Sequence, residues 1–148
     1  MRTRSRWLVL GACLSFAIAL LHLGIIFAGP DAYTYFGAAD LAPLEAAGSP
    51  VPDAITAGLV AVFSVFGCYA LAGAGLVRRL PLLVFALLAI GAVYTLRGLA
   101  VFPELVQLAR GATAYPPRYA VFSLVSLLAG VAYLAGALSV RKEIRAHG

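Results

Sequence analysis

Long uncharged, apolar stretches dominate the chain, broken at intervals by short charged or proline-rich segments. Between Arg6 and Asp31 lie 24 residues without a formal charge, and between Asp53 and Arg78 another 24. Arg79 to Arg97 encloses 17, with apolar sequence continuing past Arg97 to Glu104, and Arg118 to Arg141 encloses 22. A bilayer core about 30 Å thick is crossed by ~20 helical residues rising ~1.5 Å each. No stretch alternates polar and apolar residues as a barrel strand must. Only helices and closed barrels satisfy the backbone in lipid. The pattern therefore predicts an all-α membrane protein, a single integral domain over 1–148, with transmembrane helices at 7–28, 53–77, 81–102 and 118–140.

Small residues say how these helices meet, because lipid gives no hydrophobic drive for their association and close backbone approach must supply it. Gly11, Ser15 and Ala19 recur at spacing four in the first span, Ala70 and Ala74 mark the second, Gly91 and Gly98 the third, and Ala132 and Gly136 the fourth. Each span thus owns a close-approach face, and an antiparallel four-helix bundle is the simplest assembly.

The loops carry their own signals. In loop 29–52, Pro30 and Asp31 suit a first helical turn that Gly37 would end, and Asp40 suits the N-cap of a second short piece ending at Gly48. Tyr33, Tyr35 and Phe36 are expected as aromatic anchors at head-group depth, which makes these pieces short interfacial helices. Ser49, Pro50, Pro52 and Asp53 start the second span. In loop 103–117, Pro103 and Glu104 open a turn running helically to Arg110, Gly111 stops it, and Pro116 and Pro117 start the fourth span.

Charge sets the orientation. The N-terminus, the turn at 78–80 and the C-terminus carry Arg2, Arg4, Arg6, Arg78, Arg79, Arg141, Lys142 and Arg145 against Glu143 alone. The first loop carries Asp31, Asp40, Glu45 and Asp53. Basic residues stay cytoplasmic, so both termini are expected inside, in a bacterial inner membrane, with loops 29–52 and 103–117 outside. The first apolar run is too long for the ~7–15-residue core of a cleaved signal and is read as a retained helix.

Composition narrows the function classes. Hydrophobic residues make up 63% of the chain and charged residues 11%, with a mean hydropathy of +0.98. Soluble domains carry roughly 25% charged residues, so a cytosolic enzyme and a disordered tail are excluded. The pI of about 9.6 reflects basic residues at helix ends rather than an aromatic-interleaved basic patch, so no nucleic-acid partner is expected and membrane lipids are. Cys13 and Cys68 form no C-x-x-C pair and read as small apolar filler.

Two ionisable side chains sit inside spans, where they cost about 2.5–3.5 kcal/mol on insertion scales and mark functional sites by default. His22 shares the face of Gly11, Ser15 and Ala19. Arg97 lies fifteen residues beyond Leu82, at matching depth, on a face with Tyr94, Val101 and Glu104. With Asp53 starting the second span and Tyr119 the fourth, the expected ligand site is His22, Asp53, Tyr94, Arg97, Glu104 and Tyr119 around an outward cavity. An arginine keeps its proton and must pair or bind an anion. The plainer alternative has Arg97 paired with Glu104 or Asp53 to hold the bundle and His22 bonded to a neighbouring helix.

Other chemistry is poorly served. Only His22 and His147 exist, so a bis-His haem cannot form within one chain. The spans hold no Glu-x-x-His for a metal, and the chain holds no glycine-rich phosphate loop and no nucleophile–base set. No cofactor and no metal are expected, and catalysis would at most use His22 with Asp53 or Glu104. The reading that follows is a protein binding or moving an amphipathic, anionic, lipid-like ligand. The alternative is a non-catalytic accessory subunit of a larger membrane complex, and a second copy of the chain is a plausible partner for so small a bundle.

Overall fold

The computed structural model describes residues 5–111 and 116–146; Arg2, Arg4 and His147 lie outside them, as does 112–115 of the second loop. The described chain is helical, in seven elements: α1 (Arg6–Ala28), α2 (Pro30–Tyr35), α3 (Ala42–Ala46), α4 (Val51–Gly73), α5 (Leu83–Gly98), α6 (Val101–Ala109) and α7 (Pro117–Ala146). Four segments are long and apolar enough to cross a membrane: α1, α4, α5–α6 taken together, and α7. Only 17–39% of the residues in their apolar windows are buried. Phe27, Phe85 and Leu96 are at least 70% exposed. Apolar side chains presented outward on this scale belong in lipid rather than water.

Helix ends follow the local chemistry. Gly37, Gly48, Gly75 and Gly111 all adopt positive φ just past the ends of α2, α3, α4 and α6, the left-handed stop that glycine makes without steric cost. The stop at Gly75 ends α4 at Gly73, four residues before the expected limit of 77. The Ser49 hydroxyl accepts from the Val51 amide at 3.3 Å where α4 begins. Asp40 does not cap α3: Leu41 occupies the N-cap position, without a side-chain cap bond, and α3 is a single short turn held by backbone bonds. The third span is interrupted at Leu99–Ala100, so that its expected end at 102 falls inside α6. The fourth outruns its expected end at 140 by six residues, because Arg-Lys-Glu-Ile-Arg continues as good helix sequence beyond the apolar part.

Contacts divide the chain into two compact units, Ser15–Val65 and Met1–Leu14 with Phe66–Gly148. In the first, α2 packs on α3, and Tyr33 of α2 bonds to Asp53 of α4. In the second, α5 packs along α7 through glycines. A Cβ on Gly91 would meet Leu134, one on Gly98 would meet the Leu127 backbone, and one on Gly130 would meet Thr95. As the position rises on α5 it falls on α7, so this pair is antiparallel. At the far end of the seam, Leu8 is fully buried and fills the space that side chains on Gly73 and Gly136 would need. Tyr133, also fully buried, covers Gly11 and donates to the Phe66 carbonyl at 2.8 Å.

Candidate functional site

Within the unit Ser15–Val65, α1, α2, the α2–α3 turn and α4 line a half-open pocket of about 100 Å³, bordered by His22 and Ile25, by Tyr33, Phe36, Ala38 and Leu41, and by Ile55, Thr56 and Leu59. The lining is apolar apart from His22, Tyr33 and Thr56. Each polar group is held in place. The His22 Nδ1 lies 2.8 Å from the Ile18 carbonyl, one turn back on α1. A neutral ring donating there keeps its lone pair at Nε2. The ring stands against Phe63, with centroids 5.1 Å apart.

Asp53 lies in the first turn of α4, where the helix dipole favours a carboxylate. Its Oδ1 accepts from the Tyr33 hydroxyl at 3.1 Å. The Thr56 hydroxyl, one turn along α4, lies 3.1 Å from the Tyr33 oxygen and 2.8 Å from the Pro52 carbonyl. Its single proton serves one of these acceptors at a time. Tyr33 and Thr56 are 2% and 3% exposed, so this chain of hydroxyls is removed from solvent. Burial pushes the Tyr33 hydroxyl above its ordinary pKa of 10.0, and the Asp53 carboxylate adds to the rise while the Thr56 bond opposes it. Tyr33 therefore remains a donor throughout the physiological range. The expected role of Tyr33 as a head-group anchor is replaced by this buried one, whereas Tyr35 is half exposed.

The remaining expected site residues belong to the other unit. Arg97, in the last turn of α5, is exposed and donates from Nη1 to the buried Ser123 hydroxyl at 2.8 Å. Among the described residues of its unit Ser123 is its hydrogen-bond partner and Glu104 is not. Glu104 sits in the first turn of α6, again at a dipole-favoured position, and its buried Oε2 has no hydrogen-bond partner. Tyr94 is packed between Phe66 and Tyr133, 5.7 Å from each ring. Tyr119 lies 5.2 Å beneath the Arg118 guanidinium carbon. The six expected residues thus fall into two sets, His22 with Asp53 and Tyr94 with Arg97, Glu104 and Tyr119. Only His22 among them lines the pocket described above.

Sequence reasoning passed over Thr56, although the spacing Asp53-x-x-Thr56 puts carboxylate and hydroxyl on one helical face. No hydrogen bond joins His22 to Asp53 among the described residues. Nor do three metal-ligating side chains gather anywhere among them. Cys13 and Cys68 are free and exposed. Comparison with known protein families, with curated proteins and with solved structures gave no match, so the geometry alone bears on function.

Proposed function

We propose that the chain is a bacterial inner-membrane protein that binds or moves an amphipathic, lipid-like molecule whose apolar end enters the pocket beside His22. In this reading α1, α4, α5–α6 and α7 cross the bilayer as an antiparallel bundle. Both termini are placed on the cytoplasmic side, which the basic residues at 78–79 and 141–145 favour. The helices α2 and α3 lie at the outer interface. The observation that carries the reading is the pocket itself, apolar walls with His22, Tyr33 and Thr56 set among them. Its size limits the guest. An apolar cavity of roughly 150 Å³ takes benzene, so about 100 Å³ admits the end of an alkyl chain or a small ring and leaves the polar end outside.

Topology is tested first. The protein should resist carbonate extraction. Alkaline phosphatase inserted after Gly48 should be active, and the same enzyme fused after Ala146 inactive; the reverse pattern overturns the orientation. The pocket is tested by native mass spectrometry of detergent-extracted protein. Leu59→Trp places a large ring on the pocket wall, whereas Leu20→Trp alters a side chain that is 68% exposed and lines no part of it. A co-purifying amphiphile should survive Leu20→Trp and fall by about tenfold or more in Leu59→Trp, the scale expected when bulk displaces buried apolar contact. Equal retention in both variants sinks the pocket reading.

A second reading, an accessory subunit docked in a larger complex, draws on Ala54, Ala57, Gly58 and Ala61 of α4. All four are exposed, and their spacing of three and four residues suits helix–helix contact in a membrane. A stoichiometric partner chain in the same spectra would favour it.

A further inference from the structure

The register of α5 on α7 shows where Arg97 sends its charge. Gly98 faces Leu127 and Thr95 faces Gly130, so the α5 backbone at Arg97 lies level with about residue 128 of α7. The guanidinium nevertheless reaches Ser123. That is a displacement of about five residues, or ~7.5 Å of helix rise, toward the end of the pair where α6 leaves α5 and where Arg118 and Tyr119 begin α7. An arginine on an apolar span carries its head toward the interface in just this way.

Arrival there leaves the group incompletely satisfied. A guanidinium has five N–H donors, and among the described residues Ser123 is the hydrogen-bond partner of Arg97. Glu104, the nearest carboxylate in sequence, keeps a buried Oε2 without a hydrogen-bond partner and does not take up the remaining donors. Ser123 is fully buried and fixes one edge of the planar group, while Arg97 itself is exposed. The free edge of a braced, exposed guanidinium presents parallel donors at the spacing of phosphate oxygens.

We propose that Arg97, braced by Ser123, binds the phosphate of a membrane phospholipid. The site is separate from the His22 pocket and does not need it. It rests on the membrane-spanning part of the reading above, which carbonate extraction tests on its own.

The test uses the full chain in a neutral detergent, titrated with phosphatidylglycerol and followed by native mass spectrometry. The wild type should bind a phosphatidylglycerol molecule, and Arg97→Gln should weaken this by about tenfold or more, the scale of a lost charge-assisted contact. Arg97→Lys keeps the charge without the fork and should weaken it about threefold; this variant decides the matter if Arg97→Gln does not fold. Arg110→Gln, which alters an exposed arginine at the end of α6, should leave binding unchanged. A large excess of inorganic phosphate should not compete; competition would assign the site to free phosphate and overturn the lipid source. Unchanged affinity in Arg97→Gln, or in Arg97→Lys where that variant decides, would overturn the site and leave a side chain that is only solvated at the interface.

Discussion

Gly98→Leu should separate α5 from α7 and cost about 3 kcal/mol or more, the upper part of the range for overpacking. The reason is what the new atoms meet. A Cβ at Gly98 would lie 2.5 Å from the Leu127 Cα and closer still to its amide nitrogen. A neighbouring side chain can rotate away, but backbone can yield only if one helix moves. The cost cannot be confined to one residue, because Gly130 meets the Thr95 backbone one turn along the same seam at 2.7 Å and Gly91 meets Leu134 beyond it. Gly58→Leu is the matched control: nothing lies within 4 Å of its Cβ position, and the change should stay within about 0.5 kcal/mol. Thermal unfolding in detergent, followed by circular dichroism, reads both. If the two variants melt together, the close approach of α5 and α7 is wrong. Gly98→Leu combined with Gly130→Leu should cost less than their separate losses suggest, since one displacement of the helices relieves both clashes.

This seam also shows what the sequence made legible. Spacing and small residues announced half of it: Gly91 and Gly98 meant close approach and the contacts follow, whereas Gly136 of the last span meets Leu8 instead. Glycine stops were equally readable, because positive φ is a local property and Gly37, Gly48, Gly75 and Gly111 needed no knowledge of the fold. Polar partnerships were not. Arg97 can be placed on a helical face from its neighbours in sequence, and that reasoning points to Glu104 seven residues on. The observed partner, Ser123, comes from α7 and is set by a register that only the packed pair defines. Tyr33 illustrates the same limit. An aromatic residue in a loop next to a span reads as an interfacial anchor, and burial becomes visible only when α2 folds back on the start of α4. Periodicity assigns depth and face along one helix. It does not choose between two polar side chains on different helices at similar depth, and the candidate site consists of such choices.

Breaking the Tyr33–Asp53 contact should be the most costly polar substitution in the unit Ser15–Val65. Asp53→Ala removes the charged acceptor of the Tyr33 hydroxyl, on a residue that is 2% exposed, and leaves it only Thr56 Oγ at 3.1 Å, a penalty of about 1 kcal/mol. It also removes a carboxylate from the first turn of α4, adding about 0.3–1 kcal/mol. Asp53→Asn keeps an oxygen acceptor and should recover most of the loss. Tyr33→Phe removes the donor without creating an orphan hydroxyl and should cost less than Asp53→Ala. The double variant should cost little more than Asp53→Ala alone, because both changes delete one interaction. Alkali provides an independent check on sign. The folded pKa of Tyr33 lies above its ordinary value of 10.0, chiefly through burial. Its contribution is therefore complete below about pH 10 and is lost as pH rises through the higher folded value. The stability difference between wild type and Tyr33→Phe should stay level from neutral pH to about 10 and shrink above it. A difference that stays level through pH 10 and above, or an Asp53→Ala variant as stable as wild type, would mean that the hydroxyl is solvated and that the wall of the pocket is open there.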